Sequence, residues 1–167
     1  SRINDGKTLD LGPWTSMLAI GVRSVYQASA IFPMGATEKP MQPGVYRPTD
    51  DHTRTGINAA SNLDNLRHGL TAYEDIANWL KQQFFMRVSD VDNAFPLLPL
   101  HPDVIPFFFF RWTIGSELRL LVHTHGDFGA AGMPGAFKIF FADVVVGMAR
   151  AAAVLTLPMA VYVDDCS

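Results

Sequence analysis

Apolar positions return along this chain in three rhythms, and each predicts a different element. From Thr71 onward, Tyr73, Ile76, Ala77 and Leu80 recur at helical spacing. Thr71 and Glu74 stand in the capping-box relation, in which the hydroxyl takes an otherwise unpaired backbone N–H and the carboxylate reaches back. The spacing predicts a helix over Ala72 to Gln83. Phe84 to Asp90 follows with Met86, Val88 and Asp90 at period two, the repeat of a strand. Ile105 to Thr113 and Leu118 to Thr124 read as further strands, and Gly115-Ser116 between them suits a hairpin. The third rhythm is the unbroken apolar run. Pro134 to Leu155 predicts a long helix with Pro134 in its first turn, and Ala160 to Val163 a short buried strand ended by Asp164 and Asp165. Thr15 to Phe32 is apolar-rich and predicts a helix, with Gly21 as its weak point. Pro33 to Pro48 is rich in proline and glycine and predicts a loop or extended crossing. Strands interleaved with helices without strict alternation predict an α+β fold with a partly antiparallel sheet.

Composition narrows the class. Apolar residues make up 49% of the 167 and charged residues 17%, enough for a buried core, which excludes wholesale disorder. A net charge of −3 excludes a strongly basic nucleic-acid-coating protein. Cys166 is the single cysteine. That excludes an internal disulfide framework and any Cys-rich zinc site, and is compatible with a reducing, intracellular compartment. The chain opens Ser-Arg-Ile-Asn-Asp with no initiator Met and no signal-like segment, and reads as an internal cut. Val144 to Val163, 20 residues, is long enough for a membrane span. Arg150 near its middle costs about 2.5–3.5 kcal/mol there, and Pro158 follows. A buried helix and strand, with no membrane partner, is the expectation.

Candidate chemistry concentrates in carboxylates. Asp164 and Asp165 are adjacent and follow an apolar strand, where like charges repel and unpaired burial is costly. A divalent cation answers both problems, and oxygen ligands suit Mg²⁺. The alternative is a strand that simply ends in water. Asp90 also ends an apolar strand. If the two strands lie side by side, the three carboxylates could hold two Mg²⁺ ions about 3.5–4 Å apart, the arrangement for in-line phosphoryl transfer. His123, His125 and Asp127 alternate, which puts them on one strand face. There they could bind Zn²⁺ or another transition metal, although polar residues on an open hairpin face explain them as well. Phe107 to Phe110 could stack single-stranded bases, but four neighbours in a strand point both ways, which favours core packing. Cys166 reads as an inert thiol near the carboxylate pair.

Tyr162-Val163-Asp164-Asp165 resembles the Y-x-D-D motif of reverse transcriptases. Asp90 to Leu100 resembles their first palm motif, D-x-x-x-A-[FY]-x-x-x-P-L. Arg47-Pro48-Thr49-Asp50-Asp51 with Gly56, Ile57 and Asn58 resembles the fingers motif. Gly132-Met133-Pro134-Gly135 resembles the second palm motif, although Gly135 follows Pro134 directly and no Gln is present. All occur in the family order and cover Arg47 to Asp165. The likeness is greatest to the enzymes of tyrosine-recombinase (DIRS-like) retroelements.

This resemblance implies a polymerase palm, a ferredoxin-like antiparallel sheet with packed helices, plus partial fingers. The expected division is an N-terminal helix and connector over 1–46, a fingers-like segment over 47–83 and a truncated palm over 84–167. It implies that Asp90 and Asp164 are the principal ligands of Mg²⁺ (Mn²⁺ is an alternative), with Asp165 supporting and the Val91 carbonyl completing one shell. Phe95 would be the steric gate against a 2′-hydroxyl. Asp92, Asn93 and Ala94 would line the triphosphate with backbone N–H groups, Arg47 would clamp its phosphates, and Pro134 and Gly135 would approach the nascent base pair. The implied partners are an RNA or DNA template with primer, deoxynucleoside triphosphates and the rest of the polymerase. The second strand of the catalytic hairpin and the thumb are expected to lie outside these residues. A catalytically inactive, domesticated interaction module is the main rival. Others are an RNA-directed RNA polymerase, which Phe95 disfavours, and a membrane-associated protein built on Val144 to Val163.

Overall fold

The computed structural model describes residues 5–15, 30–66, 73–82 and 93–154, with residues 3 and 91. The chain is mixed α+β and falls into two compact units, neither continuous in sequence. One joins Ser1–Ser61 to Phe95–Ala131, the other Asn62–Ala94 to Gly132–Ser167.

Among the described residues the first unit holds six strands: β1 (Thr8–Pro13), β2 (Ile31–Phe32), β3 (Met34–Glu38), β4 (Tyr46–Asp50), β5 (Phe109–Ile114) and β6 (Glu117–His123). Four of them form a mixed sheet in the order β1-β6-β5-β2, and β3 and β4 form a separate pair. β6 is antiparallel to β1 and to β5, whereas β2 runs parallel to β5. β5 and β6 close through Gly115-Ser116, where Ile114 pairs with Glu117 and Gly115 has φ 64. Two-residue hairpin turns place this left-handed backbone on glycine.

β6 runs from exposed Glu117 and Leu118 into buried Leu120, Leu121, Val122 and His123. A strand covered on both faces needs such an unbroken run. Leu120 and Val122 pack with Ile105 and Phe109 on one face, and Leu121 packs with Phe32 and Phe110 on the other. Phe109 is fully buried, which stabilises the fold by about 1.5–3 kcal/mol for one such side chain. The phenylalanine block is thus divided between two apolar layers: Phe108, Phe109 and Phe110 are buried and Phe107 is exposed.

Several sequence expectations are corrected here. Ile31–Phe32 is a strand paired with Phe109 and Phe110, not the end of a helix begun at Thr15; residues 16–29 lie outside the described residues. Pro33 to Pro48 is not a loop, because most of it forms the β3–β4 hairpin. Pro48 stands opposite Ala36. A two-stranded ladder leaves every second N–H pointing outward, so a proline fits without losing a bond. Ile105–Phe107 is a 3₁₀ turn rather than the start of a strand. The predicted strands over Phe84 to Asp90 and Ala160 to Val163, and Thr71 of the capping box, lie outside the described residues.

The short helix α1 (Ile57–Ala60) belongs to the first unit, and α2 (Tyr73–Gln82) to the second. The predicted helix over Ala72 to Gln83 is thus found over Tyr73–Gln82, and Ala72 and Gln83 lie outside the described residues. Glu74 and Asp75 occupy its first turn and Lys81 its last, the charge placement that a helix dipole favours. α3 (Met133–Phe137) leads into a π-wound stretch, Lys138–Val146, and then α4 (Gly147–Ala152). Pro134 sits in the first turn as predicted, but the winding in the middle is looser than an α-helix. Lys138 Nζ lies 2.9 and 2.8 Å from the carboxylate oxygens of Asp143, five residues on. In π winding, residue i+5 is the hydrogen-bonded neighbour one turn away. A Cβ on Gly135 would lie 1.8 Å from the Leu66 carbonyl oxygen, so α3 packs directly on the 3₁₀ turn Asp64–Leu66. Among the described residues no helix is long and apolar enough to cross a membrane.

Candidate metal centre

Period two along β6 decides what faces the β3–β4 side. Leu121 joins the Phe32 and Phe110 layer, so His123, two residues on, points the same way. Its ring stacks on Phe110 with centroids 4.4 Å apart. Thr8 on β1 is its cross-strand partner, and Thr8 Oγ1 lies 2.8 Å from His123 Nδ1. That contact holds the ring, and Nε2 lies 3.5 Å from Asp50 Oδ1.

Asp50 ends β4, paired with Met34 across the ladder. The chain then turns. Asp51 N–H donates to the Pro33 carbonyl, and Arg54 N–H donates to Asp51 Oδ1 at 3.0 Å. This turn sends His52 inward, where its ring lies 4.1 Å from Phe32 and 4.8 Å from Phe108 by centroid.

Beyond His123 the chain bends at Thr124. Leu100 N–H donates to the Thr124 carbonyl and Gly126 N–H to that of Leu98, and the bend carries Asp127 back toward His52. Asp127 Oδ1 accepts N–H bonds from Gly129 and Ala130 at 3.1 and 3.0 Å, the local turn that Asp favours. Its Oδ2 lies 2.7 Å from His52 Nε2. Both side chains are fully buried, and His52 Nδ1 has no hydrogen-bond partner among the described residues. Gly129 permits the approach, because a Cβ there would lie 1.8 Å from the Asp50 carbonyl oxygen.

Asp50, His123 and Asp127 are all buried, and one ligand atom from each lies within 4.8 Å of the others. This group could hold a metal ion. The alternating set His123, His125 and Asp127 is thereby corrected. β6 ends at His123, and His125 pairs in an isolated bridge with Pro99, its Nδ1 3.0 Å from Thr124 Oγ1. Burial, then the charge of Lys7, holds the His125 imidazole below its ordinary pKa. Asp50 supplies the third ligand in its place. Sequence reasoning used Asp50 only as part of the Arg47–Asn58 motif and passed over His52. The available signal was an Asp and a His two residues apart just where a strand ends.

The residues implied by the reverse-transcriptase resemblance are placed as follows. Asp90, Asp92, Asp164 and Asp165 lie outside the described residues. Arg47 is half-buried on β4, opposite Thr37. Val91 is half-buried in irregular backbone, Asn93 has φ 52, and Ala94 is buried. Phe95 is buried and opens a 3₁₀ turn, its ring 5.0 Å from that of Phe128. Pro134 and Gly135 belong to α3.

Asn58, from the same fingers-like motif, clamps the loop after β6. Its Nδ2 donates to the Gly129 carbonyl at 3.0 Å, and its Oδ1 accepts the Ala131 N–H at 2.9 Å. Asn58→Ala is expected to lower the unfolding free energy by about 1–2 kcal/mol, one to two net hydrogen bonds. A urea denaturation midpoint indistinguishable from that of the unaltered chain would show that the clamp does not form in solution. In the comparison with known proteins, no family model matches the chain and no curated protein matches it.

Proposed function

We propose that the chain is the fingers and palm portion of a reverse transcriptase, a template-directed nucleotidyltransferase that extends a primer with deoxynucleotides. The observation that carries this reading is the ordered set of motifs: Arg47 to Asn58, Asp90 to Leu100, Gly132 to Gly135, and Tyr162 to Asp165. An α+β chain with a mixed sheet is compatible with a palm. The Asn58 clamp adds support, because it joins the fingers-like motif to the backbone just ahead of the second palm-like motif.

In this reading Asp90, Asp164 and Asp165 would hold Mg²⁺, which would supply activation of the primer 3′-hydroxyl and charge stabilisation of the departing pyrophosphate. Arg47 would bind the triphosphate through its guanidinium fork. Phe95 would close the space that a 2′-hydroxyl needs. The test is Mg²⁺ binding by calorimetry, with and without dTTP, for the chain and for an Asp90→Asn/Asp164→Asn variant. The expected result is Mg²⁺ binding that strengthens with dTTP and is lost in the variant. Equal binding in both, or none in either, counts against the reading and favours an inactive module.

A further inference from the structure

We propose that Asp50, His123 and Asp127 bind one divalent transition-metal ion, Zn²⁺ by their ligand chemistry, which ties β4, β6 and the loop after β6 together. The inference is independent of the polymerase reading, whose ions would sit at Asp90, Asp164 and Asp165.

Spacing is the first ground. His123 Nε2 and Asp50 Oδ1 are 3.5 Å apart, too far for a strong hydrogen bond. Two ligands each about 2.1 Å from a tetrahedral Zn²⁺ stand about 3.4 Å apart. The ligand atoms of the group all lie within 4.8 Å of one another.

The second ground is what surrounds the ligands. A metal-bound histidine gives its other ring N–H to a fixed acceptor, which sets the tautomer. Thr8 Oγ1 stands there, 2.8 Å from His123 Nδ1. Asp127 is held just as firmly by His52 and by the amides of Gly129 and Ala130, so its carboxylate is preorganised.

Charge is the third. Asp50 and Asp127 bring two carboxylates into one buried group. Two buried carboxylates in one group repel each other, and a cation between them offsets that repulsion. The imidazole in the set favours Zn²⁺ over Mg²⁺, which prefers oxygen alone. Three protein ligands leave a fourth position for water. A cavity of about 350 Å³ borders this corner, with Thr49, Asp50 and Arg54 in its wall.

The experiment is metal analysis of the purified full chain by mass spectrometry, followed by calorimetric titration of Zn²⁺ and, separately, Mg²⁺ into the chelator-stripped protein. One Zn²⁺ per chain is expected, bound about 100-fold or more tighter than Mg²⁺. Asp50→Asn and His123→Gln should each weaken Zn²⁺ binding by more than about 100-fold, beyond the roughly 10–100-fold that loss of an outer-shell partner costs. Asp90→Asn/Asp164→Asn should leave it unchanged, so failure of the polymerase reading leaves this result intact. Buried substitutions can unfold a protein, so Co²⁺ in the unaltered chain gives a second reading. It should show the intense visible bands of a four- or five-coordinate ion and an absorption fine structure with one imidazole. A chain that takes up no Zn²⁺, a Co²⁺ spectrum equal to that of the hydrated ion, or Zn²⁺ binding that survives both ligand variants overturns the proposal.

Discussion

Asp127→Ala lowers the unfolding free energy by about 3–5 kcal/mol, because three buried donors lose their acceptor at about 1–3 kcal/mol each. The carboxylate serves three donors at once: His52 Nε2 on one oxygen, and the N–H groups of Gly129 and Ala130 on the other. Alanine leaves all of them in a site with no solvent exposure at either His52 or Asp127. Asp127→Asn costs less, about 1–3 kcal/mol, because its oxygen still accepts from the two amides and only the bond to His52 is lost, where an amide NH2 replaces the acceptor oxygen. Urea unfolding followed by the fluorescence of Trp14, Trp79 and Trp112 measures both. Two variants that unfold at the same midpoint as the unaltered chain would mean that the pair is solvated in solution.

Gly129→Ala has the second large effect, about 3 kcal/mol at the upper end of ordinary overpacking. Its Cβ would meet the Asp50 carbonyl oxygen at 1.8 Å and the Asp50 carbonyl carbon at 2.6 Å. These are backbone atoms at the end of β4, so no side-chain rotation relieves the overlap. Gly44→Ala is the matched control. Gly44 has φ 80 with nothing within 4 Å of a built Cβ, so its cost is backbone strain alone, about 1 kcal/mol. The two variants separate lack of space from lack of conformational freedom. Equal midpoints for both would place Gly129 away from Asp50. The same substitution should weaken Zn²⁺ binding, since relief of the overlap displaces the Asp50 ligand.

The elements legible in the sequence are those whose signals are local. The β5–β6 hairpin announces itself by Gly115-Ser116 between two apolar runs, and α2 by its four-residue apolar repeat and charged ends. β2 has two residues, too few for any period. β3 and β4 carry prolines that mark a loop unless the strands are known to form an isolated pair. The metal-ligand group was half legible for a related reason. His123 and Asp127 stood out by alternation, but alternation assumes that the strand continues. The bend at Thr124 depends on carbonyl and amide partners at Leu98 and Leu100, which no local pattern reveals. Asp50 lies 73 residues before His123, and that separation carries no periodic trace. The three motif carboxylates, Asp90, Asp164 and Asp165, stand on resemblance alone.

The central place of β6 sets the order in which the first unit can be made. Thr8 meets His123 across 115 residues. At about 5–20 residues per second of synthesis, β1 emerges roughly 6–23 s before its partner. Closing so long a loop costs about 2 kcal/mol more than closing one of ten residues. β5 and β6, joined by two residues, can pair as soon as they appear, but β1 cannot join the sheet until β6 exists. During that interval its hydrogen-bonding edge is open to other chains. A high density of nascent chains therefore favours aggregation, and fewer chains made at one time or a chaperone that covers β1 should raise the folded yield.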